Sequence, residues 1–377
     1  MITESSYAYM LHNVPGFGNK TLFKLLEEFG SCKTIYEADE DSLKKLLNVK
    51  QFKSFVASKR KWNLESEFEY LYHRGIDFYP YSLDSYPRRL RDIPDPPFAL
   101  YCIGSLPDEN LPSVSIIGAR NSSEYGKYAA KLFGEKLSSM GIQIISGMAR
   151  GVDGISQQAA VYAGGRSIAV LGSGVDVCYP EENSALYNQL ITSGGILSEY
   201  LPGTKPKPQY FPPRNRIISG LSDAVLVIEA REKSGTLITV DMALEQGREV
   251  FALPGRICDS LSYGCNSLIK QGANIASCPE DIVDYLRINL GKKISEKSDM
   301  GSKSAGTILD YSAFGISKSQ QCIFELLDFY PQTTTAIFDK LITKGIEMSV
   351  AEVMNSLVEL CIKGIAAQNG TGFYKRG

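Results

Sequence analysis

The chain has 377 residues but only two histidines, His12 and His73, both in its first fifth. The remaining four fifths lack the side chain that most readily carries protons near neutral pH. No serine or cysteine there has a histidine base in its own domain, so the usual nucleophile pairs are excluded and no catalytic residue is assigned. The eight cysteines (32, 102, 178, 258, 265, 278, 322 and 361) contain no Cys-x-x-Cys pair. That argues against a zinc site or a disulfide framework and for reduced thiols in a cytoplasmic protein. The start, Met1-Ile2-Thr3-Glu4-Ser5-Ser6, has no charged-then-apolar leader, and no apolar run reaches membrane-spanning length, so no membrane partner is expected. Positive charge is not in surplus either, with 40 Lys and Arg against 42 Asp and Glu for a net charge of −2. A nucleic-acid site would have to be a local patch. Nucleotide signatures are also missing. Gly172-x-Gly174 has no third glycine at the spacing of a dinucleotide fingerprint, and there is no Walker loop. No NAD, ATP, metal or other cofactor is expected.

What is present divides into four parts. Residues 1–72 read as short helices. Leu22, Leu25, Leu26 and Phe29 keep the helical period, and Gly30 is placed to stop that helix. The turn Val14-Pro15-Gly16-Phe17-Gly18 admits two readings, a helix-hairpin-helix holding a DNA phosphate through its amides or a plain connector. Residues 73–112 form a bridge rich in Pro and Tyr, in which proline excludes helix and favours an extended path braced on a neighbour. From Ser113, short apolar strands alternate with helices: 114–117, 142–145, 167–171, 196–199, 224–228, 249–253 and 273–276. This pattern predicts an α/β fold, a Rossmann-like, doubly wound, mostly parallel sheet covered on both faces; with the bridge, that domain spans 73–290. A Lys-, Ser- and Gly-rich stretch at 291–317 reads as a linker. Residues 318–377 then read as three helices and a hairpin, a small winged-helix-like domain. Its basic residues (Lys340, Lys344, Lys363, Lys375, Arg376) are matched by its acids (Glu325, Asp328, Asp339, Glu347, Glu352, Glu359), which favours protein contact over DNA reading.

In an open parallel sheet, ligands bind beyond the carboxyl ends of the strands. Gly118-Ala119-Arg120-Asn121-Ser122, Gly147 to Gly154 with Arg150, Gly172-Ser173-Gly174, Lys205 to Arg216 and Ser234-Gly235-Thr236 are expected there. Glycines let backbone amides approach an anion, and helix starts add a favourable dipole. The acids near these ends, Asp153, Asp176, Glu199 and Glu229, are of the kind that hold loops and cap helices.

The most distinctive stretch is Tyr210-Phe211-Pro212-Pro213-Arg214-Asn215-Arg216. Proline is pre-set for a first helical turn, so Arg214, Asn215 and Arg216 are expected in that turn, facing an anion. Between Ser198 and Gly220, Lys205, Lys207, Arg214 and Arg216 stand against one acid, Glu199. Phe211 and Tyr210 offer aromatic faces. A basic groove with interleaved aromatics is what unpaired nucleic acid requires, each stacked base contributing roughly 1–3 kcal/mol.

These motifs, in this order, closely resemble the bacterial DNA-processing protein A family (DprA, also called Smf). They are Gly118-Ala119-Arg120, Ser146 to Asp153, Leu171 to Pro180, Phe211 to Arg216, Ser234 to Thr239 and Leu253-Pro254-Gly255. The resemblance implies a non-catalytic protein of natural transformation that binds and protects incoming single-stranded DNA and helps load the RecA recombinase. It also implies a homodimer through the Rossmann-like domain, and a DNA pocket at Arg120, Lys205, Lys207, Phe211 and Arg214 to Arg216. Under it the N-terminal helices resemble a sterile-alpha-motif-like module. The helix around Ser267-Leu268-Ile269 and the strand near Asn274-Ile275 are the candidate self-association surfaces, since an uncovered edge invites pairing.

The alternative is a phosphoribohydrolase-like, nucleotide-processing enzyme of the same Rossmann variant, whose signature is Pro-Gly-Gly-x-Gly-Thr-x-x-Glu. Here Glu232-Lys233-Ser234-Gly235-Thr236 lacks the two leading glycines, and Thr239 stands at the catalytic acid's position. Glu245, further along, keeps that reading open.

Overall fold

The computed structural model describes residues 2–291, 294 and 316–375. The linker expected at 291–317 falls almost wholly outside the described residues, as does Arg376. The chain divides into two compact units, residues 1–121 with 132–295, and residues 122–131 with 296–377.

The first unit begins with six helices: α1 (Glu4–His12), α2 (Asn19–Phe29), α3 (Cys32–Glu37), α4 (Glu40–Leu46), α5 (Val49–Lys61) and α6 (Leu64–His73). Ser31, Asp39, Asn48 and Asn63 cap α3 to α6 by accepting first-turn amides, satisfying donors that a helix start leaves unpaired. Gly30 closes α2 at φ 77°, where a side chain would be strained. The turn before α2 is tied inward. The Gly16 carbonyl accepts from Gln51 of α5 at 3.1 Å, and the Asn19 carboxamide oxygen accepts from the Phe98 amide at 3.3 Å.

The bridge is extended over two segments, as expected, but these pair into the main sheet and a helical turn stands between them. Residues 77–104 form β1 (Asp77–Pro80), a one-turn helix α7 (Arg88–Arg91) and β2 (Ala99–Gly104), and both strands join the main sheet. Proline did not prevent this because Pro80 ends β1 at the sheet's edge, where an amide is dispensable, and Pro87 precedes α7 rather than interrupting it. Bracing is also present: the Arg89 guanidinium donates to the Leu221 carbonyl at 3.2 Å and lies 3.2 Å from the Asp223 carboxylate.

The α/β elements follow in the expected alternation: β3 (Ser113–Ile117), α8 (Glu124–Ser139), β4 (Gln143–Ser146), α9 (Val152–Tyr162), β5 (Ser167–Val170), α10 (Ser184–Ser193) and β6 (Gly195–Ser198). Then come α11 (Phe211–Gly220), β7 (Ala224–Val227), α12 (Gly235–Glu245), β8 (Glu249–Ala252), α13 (Tyr263–Lys270), β9 (Asn274–Ile275) and α14 (Pro279–Ile288). The start of α8 groups with the second unit. The sheet order is β1-β2-β6-β5-β4-β3-β7-β8-β9. From β6 to β9 all pairings are parallel, while β1 and β2 are antiparallel additions. The central strands β3 to β7 are buried along their whole length, as a sheet covered on both faces requires. One core runs from Leu11, Leu22 and Phe55 through Phe78 and Tyr101 to Ala169 and Ile196, so the N-terminal helices and the sheet share it. His12 lies in that core, 3.0 Å from the Tyr101 hydroxyl, and burial lowers its pKa to about 4. It is a neutral packing residue.

The second unit contains α15 (Lys318–Leu326), β10 (Gln332–Thr333), α16 (Thr334–Thr343), α17 (Val350–Ile362), β11 (Ala366–Asn369) and β12 (Gly372–Lys375). Three helices close over a small sheet of order β10-β12-β11 around Ile323, Ile337, Leu357 and Phe373. Among the described residues, no helix is long and apolar enough to cross a membrane.

Candidate functional site

Strand order reverses at β3. Successive strands β4, β5 and β6 lie to one side of it, and β7, β8 and β9 to the other. Connections leaving the two sides diverge at that point and open a crevice beyond the strand ends. A cavity of about 560 Å³ lies there, lined by the end of β3 (Ile117, Gly118 and Arg120) and by the first residues of three helices. Asp153 is the second residue of α9, Phe211 and Pro212 open α11, and Gly235 and Thr236 open α12. Three positive helix ends around one cavity favour an anion. The ends differ in what they can donate. Ser234 caps α12 and accepts from the Thr236 amide at 3.1 Å, whereas Pro212 and Pro213 leave α11 without amide donors at its second and third positions.

The two arginines expected in the first turn of α11 instead stand at its fourth and sixth positions, because the helix already begins at Phe211. Two residues apart is about 200° around a helix, so they point to opposite sides. Arg214 lines the cavity, 5% exposed. Its guanidinium abuts Gly147, where a Cβ would stand 1.7 Å from Nη1, and its Nε has no hydrogen-bond partner. Burial lowers its pKa to about 10, with nearby Asp153 pushing it up and Arg120 pushing it down, so it stays charged at neutral pH. Asp153, which accepts from the Gly147 amide at 3.2 Å, is raised by burial against the lowering effects of Arg214 and that amide.

Arg216 faces the other way. Its Nη1 and Nη2 donate to the two Glu199 carboxylate oxygens at 2.8 and 2.6 Å, and Nε donates to the Asp95 carbonyl at 2.7 Å. Burial disfavours its charge, but the Glu199 pair outweighs that and leaves its pKa raised. Arg216 secures the loop after β6 to the bridge.

Phe211 sits where the charges converge. Arg120 Cζ stands 5.5 Å over its ring centroid and Arg214 Cζ 5.9 Å, both within cation–π reach. Tyr179 packs against it at 5.6 Å with a 31° tilt. A second, similar set flanks it, with Lys207 Nζ 5.8 Å over Tyr210 and Tyr210 at 4.5 Å from Tyr200.

Of the residues singled out from sequence, Gly118, Arg120, Phe211, Arg214, Asn215, Ser234, Gly235 and Thr236 line the cavity together. Lys205 and Lys207 are exposed on either side of Pro206, which does line it. Gly172 and Gly174 lie outside the lining. Gly172 instead gives room to Phe211, whose Cδ1 would be 2.8 Å from a Cβ there. Arg150 is engaged with Glu182 at the surface, and Ser122 groups with the second unit. Asp153 and Pro206 lie in the stretches expected at the strand ends and do line the cavity, whereas Tyr179 and Ile238 line it without having been assigned there from sequence. Tyr179 did carry a signal, an aromatic just before Pro180 and shortly after the Gly172–Gly174 turn.

The family model for DNA recombination-mediator protein A matches residues 78–287, from β1 to α14 and so across the whole sheet and cavity. The chain belongs to that family. Protein Smf of Escherichia coli is 42% identical over 245 residues, 65% of each chain. The DNA processing protein DprA of Bacillus subtilis is 43% identical over 217 residues, 56% of this chain and 72% of that one. The match thus spans just under two thirds of the E. coli relative. Among solved structures, DprA of Streptococcus pneumoniae superposes with a TM-score of 0.66 at 32% identity, covering 75% of this chain and 98% of that one. DprA of Helicobacter pylori, described for its single-stranded DNA binding mode, gives 0.50 at 30% identity over 56% and 95%. Residues 78–112 of the Pro- and Tyr-rich bridge are inside the span matched by the family model, consistent with their place in the sheet.

Proposed function

We propose that this chain binds single-stranded DNA in the β3/β7 crevice, shields it, and promotes loading of the RecA recombinase onto it, without chemical turnover. The observation that carries this reading is the juxtaposition of Arg120, Arg214 and Phe211 at three helix N-termini, with Lys205 and Lys207 on the rim. Guanidinium and ammonium groups neutralise phosphates, and aromatic rings take unpaired base faces that a duplex would hide. Family membership and the H. pylori relative's single-strand binding mode support it. Recombinase loading rests on the family's description as a recombination mediator. A homodimer is part of the same reading. Of the two candidate surfaces, α13 has Leu268 buried and Ser267 exposed, while the β9 edge, with Ile275 52% exposed, is the more open to a second copy.

The phosphoribohydrolase alternative has less support. Among the described residues that line the cavity, Asp153 is the carboxylate, buried and tied to Gly147, and Thr239 occupies the place of the catalytic acid. Glu245 ends α12, about 15 Å along the axis from the cavity end of that helix.

A gel-shift comparison of single- and double-stranded oligonucleotides tests the proposal. Single strands are expected to bind preferentially, with log affinity falling against log salt by about 0.7 per contacted phosphate. Duplex preference or salt-independent binding would refute it. Gly147→Ala isolates one contact. Its methyl group unseats only the end of the Arg214 side chain, so the protein should fold normally and lose about tenfold to a hundredfold in affinity, the size of a charged hydrogen bond. Unchanged affinity would remove Arg214 from the DNA contacts.

A further inference from the structure

We propose that Tyr179, rather than Phe211, is the ring on which an unpaired base stacks at the cavity mouth, and that Phe211 acts by holding Arg120. This rests on the single-strand reading above and assigns the roles within it.

Phe211 has little surface left to offer a base. One edge of its ring lies on the Gly172 backbone, close enough that a Cβ there would be 2.8 Å from Cδ1 and 3.1 Å from Cε1. Arg120 and Arg214 stand over the ring at 5.5 and 5.9 Å, and Tyr179 packs on it at 5.6 Å. A base reaching Phe211 must displace either Arg120, the exposed cation that meets the phosphate, or Tyr179. A cation over an aromatic face is itself held in place, so Phe211 orients Arg120.

Tyr179 is placed differently. It lines the cavity and is 43% exposed, with its inner side against Phe211 and the remainder open. Its segment is pinned on both sides. The Val177 carbonyl accepts from the Ser173 hydroxyl at 3.0 Å, the Val175 carbonyl from the Tyr187 hydroxyl at 2.6 Å, and Asn183 donates to the Met148 carbonyl at 2.9 Å. The Gly203 amide donates to Asp176 at 2.7 Å. A ring held this way loses little freedom when a base covers it, which favours binding. Arg120 and Tyr179 thus both rest on Phe211, with the phosphate falling to Arg120 and the base to Tyr179.

The test measures affinity of the full-length protein, by fluorescence anisotropy across salt concentrations, for oligo-dT and for an abasic strand of equal length. Wild type should bind oligo-dT more tightly. Tyr179→Ala should lose about tenfold or more on oligo-dT, one base stack, with little change on the abasic strand and an unchanged salt slope. Tyr179→Phe should retain binding. Phe211→Ala should weaken both strands and flatten the salt slope, because Arg120 is released. If Tyr179→Ala matches wild type on oligo-dT, or wild type does not distinguish the two strands, the proposal fails while single-strand binding stands. If wild type binds neither strand, the single-strand reading falls and this proposal with it.

Discussion

Replacing Arg216 with methionine is expected to destabilise the first unit by about 3–5 kcal/mol, the usual cost of removing one partner of a buried ion pair. Arg216 is 7% and Glu199 12% exposed at the side chain, and the two share a bidentate contact at 2.6–2.8 Å. Without the guanidinium, Glu199 stays buried with its charge uncompensated. The Asp95 carboxylate, 3.0 Å from Nε, is 60% exposed and contributes little by comparison. Arg216→Met combined with Glu199→Met should recover most of the loss, because an apolar pair of similar volume often replaces a buried ion pair at small cost. Urea unfolding of the single and double variants measures this. Equal destabilisation of both would mean that packing, not charge, decides the site.

Arg120→Glu is expected to show the opposite pattern, with the fold intact and single-strand binding reduced more than a hundredfold. Arg120 is exposed at the end of β3 and is held there by Phe211, so its removal disturbs no core contact. The substitution deletes one phosphate partner and brings a carboxylate near Arg214, which then neutralises the second. Two lost phosphate contacts should flatten the salt slope by roughly 1.4. Unfolding and DNA titration on the same preparation separate binding from stability. Arg120 would be structural if stability fell in step with affinity.

These two arginines also show what could be read from sequence. The strand series and the Rossmann-like α/β sheet were legible because each strand is a short apolar run bounded by glycine or a helix. The crevice was legible because ligands of such sheets gather at the strand ends. The separation of Arg214 from Arg216 was only partly so. Their spacing implies opposite helix faces, but which face meets the cavity depends on Gly147 on one side and on Glu199 and Asp95 on the other. The edge strands β1 and β2 were missed because prolines punctuate 80–97, and proline at a sheet edge looks the same in sequence as proline in a loop. Tyr179 was passed over because the glycines before it looked like the binding element, whereas Gly172 makes room for Phe211.

The sheet's pairing pattern has a consequence for how this protein comes into being. Val114 pairs with Ala224, and the cavity lies at that seam. The intervening chain must be gathered before the contact yields any return, and such distant pairings form slowly. A nascent chain still short of β7 has half a crevice. The crevice is therefore completed only once β7 and the start of α12 have joined β3, with β8 and β9 still to be added to the sheet.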